Sequence, residues 1–426
     1  MFGRLYIYVL ALGFAFLPFT RGLTVDIGFP LKAYEPLFAL AVFTFALSGF
    51  PVDRPLVRRF LPPLLLLVVS ASISFVIGVY SDDRYGFDFR GGPAVDGLFR
   101  LSYLVFNILL FVVCYRAARV DSPLLTRAWL LGMLTSLSYS VYCALSLTAT
   151  GEAYMLPGIE RHQVSDIGPL VVSRSGTFEE GNFGGFYFLL SAVIALRVRS
   201  PLIALLAVLG VILSKSTSAY FGLLVAGAVY VLMMKRFRVL VLPVIGVFAV
   251  VAYGLTAWFI YEGKFSGAAS SSGAVRLNEV VTAWLMFRDH MAFGVGLGQY
   301  GFLYPYYLWD VAIDAGSSSD RHIPNNVYME FLAETGLVGL GFAALFWSRW
   351  LASARRALPA TPIFLATGMG MMTVWLAYPT FNIAFLWCFM GFGLAASDWA
   401  GETLPRNALT ARRGRVASTD PSPGGA

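Results

Sequence analysis

The sequence predicts an all-α fold: a polytopic transmembrane bundle of about twelve helices, with long external loops that contain an interfacial helix. Three observations predict it. Apolar residues make up 58% of the 426 and charged residues only 13%, against about 25% charged in a soluble domain, and the mean hydropathy is +0.71. Apolar runs of helix length succeed one another along most of the chain. Every second gap between those runs holds at least two positive charges, the pattern that fixes orientation in a membrane.

A membrane helix needs about 20 apolar residues. The runs fall near 5–20, 33–50, 60–80, 98–115, 128–149, 179–196, 201–214, 217–234, 239–260, 327–347, 361–378 and 380–397, with 201–214 the shortest. The first run follows Arg4 and ends Leu17-Pro18-Phe19-Thr20-Arg21 without a small-x-small cleavage site, so it is read as a retained helix and not a signal peptide. Residues 403–426 are rich in Arg, Pro and Gly and read as a disordered cytoplasmic tail behind one transmembrane domain, 1–402.

With the N-terminus cytoplasmic, the inside connectors hold Arg54, Arg58 and Arg59; Arg116, Arg119 and Arg127; Arg197 and Arg199; Lys235, Arg236 and Arg238; Arg349, Arg355 and Arg356; and the tail arginines Arg406, Arg412, Arg413 and Arg415. Acidic residues go the other way: Asp82, Asp83, Asp88 and Asp96 in one outer loop, Asp310, Asp314 and Asp320 in another. An even number of helices with both ends inside satisfies this pattern. The net charge of +7 is dispersed over short connectors, which argues against nucleic acid as a partner. Cys114, Cys143 and Cys388 lie in apolar runs without C-x-x-C spacing, so neither a zinc site nor a disulfide framework is indicated.

Two outer loops, about 150–178 and 261–326, are long enough to do chemistry, and they contain all three histidines, His162, His290 and His322. The second opens on a Gly/Ser link, Ser266 to Gly273. Leu277, Val280, Val281, Trp284 and Leu285 then repeat at helical spacing, with Arg276, Glu279 and Thr282 on the other side. That segment reads either as an interfacial helix or as a helix packed on its own domain. Gly294, Gly296 and Gly298 follow it; behind a helix and not a buried strand, they read as a tight backbone turn rather than a dinucleotide loop. His322, in a polar cluster before an apolar helix, has the pKa range for proton transfer, although a surface histidine fits the same position. Arg174 stands at a membrane edge, where a guanidinium either grips phosphate oxygens in a fork or snorkels to the interface.

Four segments together carry a resemblance: Arg174 through Asn182 with the Gly-rich helix behind it, Lys215-Ser216-Thr217-Ser218-Ala219 opening a helix, Trp284 through Tyr300, and Asn325 through Gly339 with its Asn-x-Tyr-x-Glu-x-Leu-Ala-Glu-x-Gly-Leu-x-Gly pattern. The chain resembles the O-antigen ligase and polymerase superfamily of bacterial envelope glycosyltransferases. The resemblance implies a GT-C-like helical membrane enzyme that moves a glycan from a polyprenyl (undecaprenyl) pyrophosphate carrier to a hydroxyl of a glycan or lipid A-core acceptor. It implies a metal-independent, inverting transfer without cofactor, on the periplasmic side of the bacterial inner membrane, among membrane lipids. By the same resemblance Arg174, Arg276, Arg288, Arg321 and Lys215 are expected to hold the pyrophosphate, His322 or Glu330 to serve as base, and Asn182, Asn325, Asn326 and Tyr328 to position substrate. Asn325 stands where the family often has a histidine, and here the histidine lies three residues earlier. Polymerase and ligase both stay open, with the His-x-x-Asn-Asn arrangement leaning to polymerase. A transporter or flippase is the rival from another class; it would place ionisable groups at mid-membrane, whereas the candidates here sit at one edge.

Overall fold

The computed structural model describes residues 4–26, 30–49, 53–80, 92–159, 162–233, 272–309, 324–356 and 362–403. The apolar run at 239–260, the connector with Lys235, Arg236 and Arg238, most of the Gly/Ser link, the loop aspartates other than Asp96, Arg321, His322 and the tail from 404 lie outside the described residues.

Thirteen α-helices lie among the described residues, and each remaining apolar run coincides with one. They are α1 (Leu5–Phe16), α2 (Tyr34–Leu47), α3 (Arg54–Arg59), α4 (Leu61–Tyr80), α5 (Gly92–Thr150), α6 (Gly181–Arg197), α7 (Pro201–Leu213), α8 (Thr217–Met233), α9 (Ser272–Asp289), α10 (Tyr300–Trp309), α11 (Val327–Arg356), α12 (Pro362–Val374) and α13 (Ala384–Thr403). By length and composition α4, the stretch Ala94–Thr150 of α5, and α11 are able to cross a membrane, and the other apolar helices are shorter. The all-helical expectation needs one addition. Two antiparallel hairpins stand in the loops, β1 (Val25–Asp26) with β2 (Pro30–Leu31) and β3 (Val164–Ile167) with β4 (Leu170–Ser173).

Two long helices are broken for identifiable reasons. α5 merges the predicted runs 98–115 and 128–149 across a kink at Asp121. Pro123 removes a backbone donor there, and the Asp121 carboxylate accepts the amide of Leu124 at 3.1 Å to start the second segment. α11 breaks at Gly336, whose φ of 64° and ψ of −163° belong to a region open essentially to glycine alone. A side chain there would run into the backbone of Ala292 and Phe293. At the break the amides of Leu337 and Val338 donate to the carbonyls of Met291 and Ala292 at 2.9 and 3.1 Å, and Val295 donates to Ala333 at 2.8 Å. The turn at Gly294, Gly296 and Gly298 has positive φ at all three, and it docks on Gly78 and Gly97 at backbone contact.

The helices pack around an aromatic core. Trp129 stacks on Tyr187 at 5.3 Å and Phe346 on Trp387 at 5.9 Å, and the Trp129 indole donates to Ser191 at 2.9 Å. The described connectors expected inside gather at one end. There Arg116 pairs with Asp53 at 3.0 Å, Arg197 donates to Ser122 at 3.1 Å, and Arg349 donates to the Arg59 carbonyl at 2.6 Å. Arg58, Arg59, Arg349, Arg355 and Arg356 line one surface cavity at that end. The other end joins the first outer loops, with Arg21 and Gly22 both donating to the Thr177 carbonyl at 3.2 Å and Leu23 to that of Pro157 at 2.7 Å.

Candidate functional site

The site lies at that second end, where the β3–β4 hairpin, the start of α6, the α7–α8 turn and α9 meet. Gly168 and Pro169 turn the hairpin, and the amide of Arg174, just past β4, extends it by donating to the Gln163 carbonyl at 2.8 Å. His162 shares a 2.9 Å hydrogen bond with Ser173, and Gly176 donates to the same hydroxyl at 3.3 Å. α6 then begins at Gly181, which has no side chain to hold it off the Ser214 carbonyl. The close approach lets Ser216 donate to the Asn182 carbonyl oxygen at 3.0 Å. Lys215 takes a positive φ in the α7–α8 turn, and its ammonium donates to Ser165 at 2.8 Å and to the Asp166 carbonyl at 2.9 Å. Lysine, hairpin and α6 are thereby fastened together.

α9 brings the other half. Its buried face is the polar one: Asn278, Glu279 and Thr282 pack inward with Ala283 and Met286, while Leu277 and Trp284 are 51% and 50% exposed. Outward presentation of the apolar stripe is what a bilayer-facing helix requires, yet the helix also rests on its own domain, since the Glu279 carbonyl accepts the Tyr300 hydroxyl of α10 at 2.9 Å. The helix begins at Ser272, so the Gly/Ser link is shorter than the sequence suggests. Asn325 donates from its backbone amide and its side chain to one Glu279 oxygen, at 3.2 and 2.9 Å.

Gln163, Arg174, Glu180, Asn182, Arg276 and Asn325 line a cavity of about 380 Å³. Among the described residues neither Arg174 nor Arg276 closes an ion pair or donates a side-chain hydrogen bond, and the buried Nε of Arg174 has no partner. A second cavity of about 340 Å³ shares Glu180 and Asn325 with the first and adds Glu279, Lys32, Glu35, Tyr103, Asn107 and Asn382. Burial, and then the neighbouring Glu179, hold the Glu180 carboxyl above the ordinary carboxylate range, with Arg276 and Arg174 pulling it back. Glu279 is likewise raised by burial, against the two hydrogen bonds from Asn325 and the charge of Arg276. Burial lowers His162.

The expected site residues therefore divide. Arg174, Arg276, Asn182 and Asn325 converge. Lys215 borders them but spends its donors on the hairpin. Asn326 caps α11, its side-chain oxygen accepting the amides of Tyr328 and Met329 at 3.0 and 3.1 Å, and the Tyr328 hydroxyl donates to the Met372 carbonyl at 2.9 Å. Arg288 is exposed and pairs with its neighbour Asp289 at 3.2 Å. Glu330 is buried elsewhere: Arg100 bridges it and Glu334 at 3.3 and 3.1 Å, and reaches Asp96 at 3.5 Å. Arg100, Glu330 and Glu334 line a further cavity of about 180 Å³. Sequence reasoning left Glu180, Glu279 and Arg100 without a role. Glu279 had a legible signal, three residues after Arg276 and on the same side of the helix.

Residues 202–344 match the family model described as O-Antigen ligase. Over those residues the chain is similar to the O-antigen ligase family. No curated protein matches the chain. The matched stretch runs from α7 to the middle of α11 and includes Lys215, Arg276, Asn325 and Glu330, while Arg174 and Asn182 come from the segment before it. The match supports, in general terms, a glycosyltransferase-like membrane enzyme.

Proposed function

We propose that this protein transfers a glycan from a polyprenyl pyrophosphate carrier to a sugar hydroxyl of an acceptor at the non-cytoplasmic surface of the bacterial inner membrane. The observation that carries the reading is the convergence of two guanidinium groups, Arg174 and Arg276, on one cavity, where among the described residues neither closes an ion pair and only the neighbouring Glu180 competes for them. Guanidinium forks match pyrophosphate oxygens and keep their charge at any relevant pH. In the reaction the acceptor oxygen attacks the anomeric carbon from the face opposite the carrier, and the bond from that carbon to the pyrophosphate oxygen breaks. The pyrophosphate leaves with the electron pair, and the configuration inverts. Charge on the leaving group builds up in the transition state, where fixed arginines stabilise it most. The hydroxyl proton passes to a base, a role worth about 10²–10⁴-fold. His322, five residues before α11 begins at Val327, is our candidate. Glu330 is committed to Arg100 in a separate cavity.

The test is transfer of a lipid-linked oligosaccharide by purified variants in nanodiscs, beside binding of the carrier. Arg174→Lys keeps the charge and loses the fork, so transfer should fall about tenfold or more with weaker carrier binding, and Arg276→Ala should cost more. His322→Ala should abolish transfer while carrier binding stays near wild type, because a base acts on the acceptor. Wild-type turnover and carrier affinity in both arginine variants would sink the pyrophosphate role.

A further inference from the structure

The second cavity has a lining that the pyrophosphate does not explain. Its depth is set by Asn107, which is 1% exposed. The orientation of that amide is fixed by a chain of hydrogen bonds: Asn382 donates to the Arg100 carbonyl at 3.1 Å, so its own oxygen faces Asn107 and accepts from it at 2.7 Å. The Asn107 side-chain oxygen is thereby left as a buried acceptor without a partner. A buried acceptor in this state is destabilising, and a donor supplied by a ligand offsets that cost. Glu35 is held beside it by the Lys32 amide at 3.0 Å and the Tyr103 hydroxyl at 2.8 Å. Aromatic rings of Tyr34, Tyr103 and Phe183 complete a cavity of about 340 Å³, within the range of small-molecule sites, about 300–1,000 Å³. Among the described lining residues Glu35, Glu179, Glu180 and Glu279 face one cation, Lys32.

We propose that this cavity is a saccharide subsite that takes a neutral or amine-bearing sugar ring and disfavours uronic acids. Fixed acceptors, an amide oxygen and carboxylates, suit the hydroxyl donors of a sugar, the aromatic edges suit its C–H faces, and the excess of carboxylates opposes a negatively charged ring. The proposal rests on the glycan-transfer reading. Since the cavity shares Glu180 and Asn325 with the arginine pocket, the ring is either the one attached to the carrier's pyrophosphate or the one that bears the attacking hydroxyl.

Saturation-transfer difference NMR on the full chain in nanodiscs tests it with three probes: methyl glucoside, methyl glucosaminide and methyl glucuronide. The first two should bind and the glucuronide should bind at least about tenfold more weakly, with Glu35→Gln narrowing that gap. Asn107→Leu, or Ala384→Leu acting from another wall should Asn107→Leu fail to fold, should remove the sugar signal. Equal binding of glucoside and glucuronide, or full glucoside binding in a folded Asn107→Leu or Ala384→Leu protein, overturns the subsite. Displacement of glucoside by polyprenyl pyrophosphoryl-N-acetylglucosamine but not by polyprenyl pyrophosphate assigns the ring to the donor; displacement by neither assigns it to the acceptor. Binding of polyprenyl pyrophosphate itself, compared between wild type and Arg276→Ala, reports separately on the pyrophosphate reading.

Discussion

Glu180 stands between the two arginines and the acidic wall of the neighbouring cavity, and its protonation state matters to both. Burial and Glu179 raise its carboxyl, so the folded protein keeps that proton to higher pH than the unfolded chain does. The stability this contributes is complete below the ordinary carboxylate range and is lost as pH rises through the raised value. Binding follows the same direction, because an ionised Glu180 competes with phosphate for Arg174 and Arg276. Carrier affinity should therefore fall with rising pH over that window. Glu180→Gln should bind the carrier roughly fivefold more tightly at neutral pH, about 1 kcal/mol, with the carboxylate part of the pH dependence gone. Parallel pH profiles for wild type and Glu180→Gln would contradict this assignment. The convergence of Arg174 and Arg276 was legible in the sequence through the family-like segments. The burial of Glu279 was not, because helical spacing shows which residues share a face and cannot say whether the polar or the apolar face turns inward.

At the scale of elements, the backbone at Gly336 is the most constrained joint. It lets the short first part of α11, carrying Asn326, Glu330 and Glu334, end against the turn at Gly294, Gly296 and Gly298 before the helix resumes. Gly336→Ala should cost about 1–3 kcal/mol from backbone conformation alone, with a further penalty from contact with Ala292, and should lower the melting temperature by several degrees. Gly341→Ala is the control: the added methyl meets open space in the same helix, and its melting curve should match wild type. Apolar runs predicted the helices well because about 20 uncharged residues have few alternatives to a helix in lipid. Asp121-Ser122-Pro123 reads as a connector and is one, since the backbone leaves the helical region at Asp121. The hairpins were less legible, because strands of two to four residues at Val25 and Val164 leave almost no periodic trace.

At the scale of the molecule, the described arginine connectors gather at one end and the candidate site lies at the other, the separation expected under the positive-inside rule. A reporter fused at residue 270 should report the external side and one at the C-terminus the cytoplasmic side; the same answer from both would mean the helix count is wrong. The site itself is assembled from the family-matched region and the segment before it, so Arg174 and Arg276 share one cavity only when those parts of the bundle have folded together. The break in α11 bears on the bilayer as well. Residues 337–348, up to the connector that starts at Arg349, rise only about 18 Å at 1.5 Å per residue, short of the hydrocarbon layer. The nine residues before Gly336 are therefore needed to complete the crossing, and the peptide groups freed at the break find their partners in the segment Met291–Val295 instead of in lipid. Held on both sides in this way, the two parts of α11 tilt together when the membrane thins or thickens, and Asn325 moves with them. Carrier KM should then change between bilayers of shorter and longer acyl chains, and a flat response would show that α11 bends at Gly336.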